Sequence, residues 1–331
     1  MVAIDSSARN IVMFLATAVF FGGTFVAAKA GLEYMPPLLF VAVRFDVAAV
    51  LLLGYVVLTH PREEWLPRTR ADLAGIAAAG LLSIGLANAM LFLGQQYVSS
   101  AVASIVFSLN PILTPVFAAF LLSDERLTAA EAVGMVVALV GVAIVIDLDP
   151  VNLLASAGAV HALLLAGAVG AALGGVLIRR ADASMPSTAR TAWGLPVGAL
   201  LCHLLALSQG ERVAAIEWTS TGLVALGYVS VFSGVLAYIA YFGLLDEIGA
   251  IRTNLAFYLV PVVAALGGWV FLGETITPTT VLGFLVVFAG FAILNRERLE
   301  HELAGLRGSF EDDSSAGRAC VVGESRWNEQ D

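Results

Sequence analysis

The chain has 331 residues, 59% of them hydrophobic and 13% charged, with a formal net charge of −9 at pH 7. Soluble domains carry about 45–50% apolar and about 25% charged residues, so this composition excludes a globule in water and indicates an integral membrane protein. The acidic balance, with Lys29 as the single lysine, argues against a nucleic-acid partner.

Ten apolar runs follow one another along the chain, each close to the roughly 20 residues that a helix needs to cross a bilayer. Their predicted bounds are Ile11–Ala30, Pro37–Leu58, Leu73–Gly94, Ala101–Leu122, Ala130–Ile146, Val160–Ile178, Thr191–Leu207, Thr221–Leu244, Ala250–Leu272 and Thr279–Leu294. The first run is too long for a cleaved secretory signal, and a single basic residue, Arg9, precedes it. The sequence therefore predicts an all-α integral membrane protein with ten transmembrane helices.

Arginine in the connections predicts the orientation of these helices. With ten crossings, the arginine-bearing connections all fall on one side, and short loops rich in Lys and Arg stay in the cytoplasm. The residues concerned are Arg62, Arg68, Arg70, Arg126, Arg179, Arg180, Arg190, Arg252, Arg296 and Arg298. We therefore expect a multi-pass protein of the cell membrane with its N- and C-termini both cytoplasmic.

An internal repeat divides the membrane part into two halves. The stretch Ser99–Thr128 recurs as Gly249–Thr277, and the match continues into the following run. The matched pairs are Pro111 with Pro261, Glu125 with Glu274, Gly134 with Gly283 and Gly141 with Gly290. Because five crossings is an odd number, the second half must run upside down relative to the first, as in many secondary transporters.

This repeat predicts four segments: a cytoplasmic N-terminus at 1–10, a first five-helix repeat at 11–147, an inverted second repeat at 148–295, and a cytoplasmic tail at 296–331. The tail is polar and aperiodic beyond Gly308, so we expect it to be largely disordered.

Three segments carry a recognisable pattern: Phe21–Leu53, Gly85–Thr128, and the repeat of the latter around Pro261 and Gly273-Glu274-Thr275. In these segments the chain resembles the drug/metabolite transporter superfamily in its ten-helix EamA branch. Similar proteins move amino acids, other small metabolites or drugs, often outward. Asp46 departs from the family pattern, which is apolar there. The four-helix multidrug branch has a glutamate in its first helix, whereas Ile11–Ala30 contains no acid, which disfavours exchange of cationic drugs for protons.

Arg44 lies well inside the second run, where a charge costs at least about 2.5–3.5 kcal/mol on insertion scales. It should therefore face a cavity or a partner. One interpretation is a guanidinium that binds a carboxylate or phosphate of the substrate. The other is a structural ion pair, for which Asp46 is unsuitable because residues i and i+2 of a helix point apart.

Asp46 is the candidate for coupling to protons, since a carboxylate withdrawn from water can take up a proton near neutral pH. Alternatively, it lies near a water-filled opening or pairs with another helix.

Three prolines predict bends, because proline removes a backbone donor and kinks a helix. Pro111 and Pro115 in the fourth run and Pro261 in the ninth are candidates for gating bends, or for simple packing kinks. Polar and aromatic side chains at membrane depth complete the predicted substrate site: Asn88, Asn110, Tyr238, Tyr241 and Tyr258. For the asparagines the alternative is interhelical hydrogen bonding, and for the tyrosines an interfacial belt.

Neither a metal nor a cofactor is expected. His60, His161, His203 and His301 lack metal-ligand spacing, and Cys202 and Cys320 lie in unrelated contexts. A glycine-rich phosphate loop is missing from the sequence, which argues against pumping by ATP, and catalysis is not expected.

The sequence thus favours a monomeric secondary transporter that exports amino acids or other small metabolites by alternating access. Its partners would be the lipid bilayer, a small-molecule substrate and a proton or counter-substrate. The alternatives are a proton-coupled drug efflux carrier, a membrane enzyme, and a non-transporting membrane scaffold or sensor.

Overall fold

The computed structural model describes residues 6–122, 128–146, 156–294 and 296, and these residues form helices without any strand. Ten apolar helices occur in them: α1 Ser6–Gly31, α2 Pro37–Thr59, α3 Arg70–Gln95, α4 Ser100–Leu121, α5 Ala129–Val145, α6 Ser156–Ala181, α7 Ser187–Ser208, α8 Ser220–Gly249, α9 Ala256–Leu272 and α10 Pro278–Leu294. Seven are long and apolar enough to cross a membrane, whereas α5, α9 and α10 have 17 residues each.

Several helices extend past the apolar runs that predict them. Helix α7 begins at Ser187, directly after Pro186, and α8 continues through Asp246 and Glu247 to Gly249. Hydrophobicity marks the part of a helix that lies in hydrocarbon, but hydrogen bonding and capping decide where the helix ends. The predicted tail lies outside the described residues except for Arg296, as does Glu125.

Polar caps fix the starts of several helices. Thr69 and Asp72 form a reciprocal capping box at the start of α3, and Thr128 and Glu131 form another at the start of α5. Each box satisfies two backbone N–H groups that lack a partner inside the helix. These caps hold the ends of apolar helices at defined residues, where apolar side chains alone would leave them undefined.

Helices α5 and α10 pack against each other through glycines that are equivalent in the two halves. A Cβ atom on Gly134 would lie 2.6 Å from the carbonyl oxygen of Gly290, and one on Gly141 would lie 2.8 Å from that of Gly283. The start of each helix therefore meets the end of the other, so the two helices are antiparallel. Only glycine allows backbones to approach this closely.

The remaining contacts between the halves obey the same symmetry: when each helix is replaced by its equivalent in the other half, one contact becomes another observed contact. Helix α2 packs against α7, α1 packs against α8 and α9, and α6 packs against α3 and α4. Each of these contacts joins the first half of the chain to the second. The halves are thus interlocked, and the space between them is bounded by helices from both.

Both halves contain a π-helical segment at the same place. It covers Ala78–Leu86 inside α3 and Tyr228–Leu236 inside α8. The segment of α3 packs on α7, where Gly80 approaches the backbone of Gly194, and the segment of α8 packs on α2, where Gly234 contacts Ala48. Segments of this type often occur next to functional sites, because they alter the direction of the side chains that follow.

Candidate functional site

Arg44 is the charged side chain that α2 directs into the bundle. Its residue is 5% exposed, and it lies about 11 Å along a helix of 23 residues, at 1.5 Å of rise per residue. Its Nη2 donates a hydrogen bond of 2.8 Å to Oδ1 of Asn88 on α3. The structure therefore brings together two of the residues that the sequence predicts for the substrate site.

Asn88 is oriented by its own helix. Its Nδ2 donates a hydrogen bond of 2.8 Å to the carbonyl oxygen of Ile84, which belongs to the π-helical segment one turn earlier. Since the amide nitrogen is occupied in this way, the amide oxygen is presented to Arg44.

The rest of the Arg44 guanidinium has no polar partner among the described residues. Its Nε and Nη1 atoms are buried without a hydrogen bond, and no described carboxylate forms an ion pair with it. The rings of Phe45 and Phe92 lie 4.5 Å and 4.9 Å from its central carbon, in the geometry of a cation–π contact. These rings stabilise the positive charge but accept no strong hydrogen bond.

An aromatic cluster lies between α1, α8 and α9. Phe21 contacts Tyr238 at 5.3 Å and Phe257 at 5.6 Å between ring centroids, and Tyr241 contacts Phe257 at 5.4 Å. Tyr238 follows the π-helical segment of α8, which packs on the helix that carries Arg44. Phe21, Tyr238, Tyr241 and Phe257 are all partly exposed. The two tyrosines were predicted from sequence. The two phenylalanines were not, because phenylalanine is common in apolar helices and carries no distinguishing pattern.

Asp46 is oriented away from this site. Its carboxylate lies 2.8 Å from Nε2 of His203 on α7, and the two side chains are 50% and 38% exposed. Asp46 belongs to an exposed stripe of α2 together with Val47, Val50 and Leu51, on the side that faces out of the bundle. Sequence alone did not connect His203 with Asp46, because they are 157 residues apart.

The three prolines differ in their surroundings. Helix α4 is interrupted at Ser108 and Leu109, directly before Asn110 and Pro111, and continues through Pro115. Pro261 is buried inside α9. The interruption of α4 thus lies directly before Pro111, whereas α9 is a single helix through its proline.

Two other predicted site residues lie elsewhere. Tyr258 packs on Phe288 and Phe291 of α10, at 5.8 Å and 4.8 Å between ring centroids. Asn110 accepts a hydrogen bond from Thr114 through its backbone oxygen. The contacts described for these two residues thus differ from those of Arg44 and Asn88.

A polar network joins several helices at the end of the bundle at which α1 and α2 are connected, which we call the upper end. Both carboxylate oxygens of Glu274, in the α9–α10 connection, accept the backbone N–H of Ser100 at 3.0 Å, and one accepts its hydroxyl at 3.3 Å. Ser100 is the first residue of α4. A carboxylate at a helix N-terminus is favoured by the free N–H groups and by the helix dipole.

Lys29 strengthens the same end from α1. Its Nζ donates to the carbonyl oxygens of Gln95 and Gln96, where α3 ends, at 3.2 Å and 2.8 Å. The α9–α10 connection reaches α4 because Gly273 adopts a left-handed conformation with φ of 65° and ends α9. In the sequence Glu274 is visible only as a marker of the repeat, since its partner is a backbone group 174 residues away.

No group of three or more His, Cys, Asp or Glu side chains that could hold a metal ion occurs in the part of the chain that the structure describes.

Comparisons with known proteins agree on one class. The model of the EamA-like transporter family matches residues 8–147 and 159–296. The chain is 26% identical to an uncharacterized transporter of Archaeoglobus fulgidus over 282 residues, covering 85% of this chain and 97% of the relative. It is 31% identical to the uncharacterized inner membrane transporter YedA of Escherichia coli over 274 residues, covering 82% and 86% of the two chains. A solved crystal structure shares the fold with a TM-score of 0.61 at 18% identity, covering 87% of this chain and 98% of the other.

Proposed function

Since this chain belongs to the EamA-like transporter family and is a multi-pass membrane transporter, we propose that it is a secondary carrier that works by alternating access. In this proposal all ten apolar helices cross the bilayer, as two inverted repeats of five. The three helices of 17 residues are at the lower limit of the length that spans hydrocarbon.

The observation that carries this proposal is the antiparallel packing of equivalent helices. Gly134 meets Gly290 and Gly141 meets Gly283, and the other contacts between halves obey the same symmetry. In a molecule with this internal symmetry, the two repeats can move against each other between two related conformations. Each conformation is closed at one end of the bundle and open at the other. A site between the halves is then open to either side in turn.

We place the substrate site at Arg44, Asn88, Tyr238 and Tyr241, where helices of both halves meet. The segments around Pro111, Pro115 and Pro261 are proposed as flexible points during gating. Asn110 and Tyr258 lie near these prolines in the chain and are not part of the proposed substrate site. The substrate is a small metabolite such as an amino acid, and the direction is export.

The orientation follows from the arginine distribution, with both termini cytoplasmic and the upper end outside. The carrier is proposed to work as a monomer, because each molecule contains both repeats.

The test is counterflow in liposomes containing the purified full chain. Vesicles are loaded with one unlabelled metabolite at a time, and the transported metabolite should drive uptake of its own labelled form. The membrane potential is dissipated in these vesicles, so that uptake driven by the potential is not mistaken for exchange. Arg44→Ala should abolish this exchange while the protein still elutes as a single species. Absence of exchange across the whole panel would contradict a carrier.

A proton-coupled drug efflux carrier is the second candidate, favoured by the ionisable Asp46–His203 pair at membrane depth. Such a carrier would confer resistance to toxic compounds in an expressing strain, and Asp46→Asn would remove that resistance. Metabolite export without any resistance phenotype would favour the first candidate.

A further inference from the structure

We propose that the substrate is a small organic anion whose carboxylate or phosphate binds the free donors of Arg44 and whose apolar body lies on the aromatic cluster. This inference rests on the proposed carrier function and assigns the chemical class of its cargo. It is carried by two separate features of the site, the incomplete bonding of the guanidinium and the aromatic cluster.

The first feature is a positive charge without a resident negative one. A guanidinium has five N–H donors, of which Nε carries one and Nη1 carries two, and all three are buried without an acceptor among the described residues. Asn88 supplies one neutral acceptor, and the rings of Phe45 and Phe92 supply only their faces. A buried cation in this state is costly, and an arriving oxyanion would remove that cost.

The nearest acid in sequence does not fill this role. Asp46 is bound to His203 on the exposed side of α2, and residues i and i+2 of a helix point in different directions. A resident carboxylate at Arg44 would form a permanent pair and block the site. A guanidinium left with free donors instead suits a ligand that arrives and departs.

The second feature defines the rest of the ligand. Tyr238 connects the aromatic cluster to the helix that carries Arg44, because it follows the π-helical segment of α8 that packs on α2, and its ring packs edge-on against Phe21. The cluster offers ring faces and edges and few hydrogen-bonding groups, so it favours an aromatic or aliphatic body over a sugar or a polyamine. The geometry thus disfavours small inorganic anions and cationic drugs alike.

The test uses the purified full chain in detergent and matched probe compounds. Phenylacetate and phenyl phosphate carry both features, phenylacetamide has the body without the charge, and acetate and inorganic phosphate have the charge without the body. Binding is measured by the shift of the unfolding transition with ligand concentration, and confirmed by isothermal titration calorimetry. We expect phenylacetate or phenyl phosphate to bind about 10- to 100-fold more tightly than phenylacetamide, since a charge-assisted contact is lost with the amide. The anion that binds more tightly shows whether the site prefers a carboxylate or a phosphate.

Variants locate the effect. Arg44→Gln should weaken binding of the aromatic anion by about the same factor of 10 to 100 and leave phenylacetamide unchanged. Arg44→Lys, which keeps the charge, should retain part of the preference and covers the case in which the glutamine variant does not fold. Arg190→Gln, which removes another half-buried arginine from α7, should change neither affinity.

Equal binding of phenylacetate, phenyl phosphate and phenylacetamide to the unmodified chain would overturn the proposed class, as would an anion preference that survives in Arg44→Gln. Failure of every anion to bind would overturn it as well. If any of these results were accompanied by counterflow of a neutral or cationic metabolite, the protein would still be a carrier. The binding test can therefore contradict the substrate class without contradicting the carrier function.

Discussion

Replacing Glu274 by Gln should open the upper end of the bundle. The carboxylate accepts the Ser100 N–H through both oxygens at 3.0 Å and the Ser100 hydroxyl at 3.3 Å, whereas an amide of the same size keeps one oxygen and no charge. Hydrogen bonds to charged groups contribute about 1.5–3 kcal/mol against about 0.5–1.5 kcal/mol for neutral ones. The closed upper end should therefore lose about 1–2 kcal/mol, which shifts its equilibrium with the open state by about 5- to 30-fold.

The opening can be measured by the reactivity of a buried cysteine. Ser104 lies one turn below Ser100 and is 1% exposed, so Ser104→Cys in a background carrying Cys202→Ser and Cys320→Ser places a thiol beneath the closure. A membrane-impermeant maleimide added from the outer side should label it about 5- to 30-fold faster when Glu274 is replaced by Gln. Glu33→Gln removes an exposed acid from the same end without touching α4, and serves as the matched control.

An unchanged labelling rate in Glu274→Gln would refute the assignment of the carboxylate as the closing contact. An equal acceleration by Glu33→Gln would show a general effect of charge and not a specific bond to α4.

Further outcomes follow from the same contacts. Gly141→Ala places a Cβ 2.8 Å from the backbone oxygen of Gly283 and should destabilise the protein by about 1–3 kcal/mol in thermal unfolding, whereas Gly54→Ala, with nothing within 4 Å, should be neutral or slightly stabilising. Arg44→Ala should abolish transport in vesicles without changing the gel-filtration profile, and wild-type uptake in this variant would remove Arg44 from the site. Asp46→Asn and His203→Gln should each lower the transport rate to a similar extent, because each breaks the same contact between α2 and α7. A loss of rate in only one of the two variants would show that this contact does not matter for transport. Epitope tags on the two termini should both be reached only from the cytoplasmic side, and a tag on each face would contradict the inverted arrangement.

The helices of this protein could be predicted from sequence because the bilayer imposes their length. Ten apolar runs correspond to ten helices in the described residues, and seven of these helices are long and apolar enough to cross a membrane. The internal match of Gly134 and Gly141 with Gly283 and Gly290 also anticipated which helices are equivalent. The repeat did not reveal that these glycines contact one another, because it shows which residues are equivalent and not which residues are neighbours in space.

The site was predicted less completely than the helices. A charged residue in an apolar run is visible at once, which is why Arg44 and Asp46 were recognised. Their partners, Asn88 and His203, lie on other helices, and only the packing of α2 against α3 and α7 determines which side chains meet. The π-helical segments have no sequence signature of their own, and Glu274 binds a backbone group, which every residue except proline provides.

The glycine contact of α5 with α10 has a consequence for the origin of the molecule. It is self-complementary, in the way that an interface between two copies of one subunit is: Gly134 meets Gly290, and their counterparts, Gly283 and Gly141, meet each other. Two separate five-helix polypeptides, inserted in opposite orientations, could form it without any linker. Cutting the chain between 147 and 155 and producing the two fragments together should thus restore a working transporter.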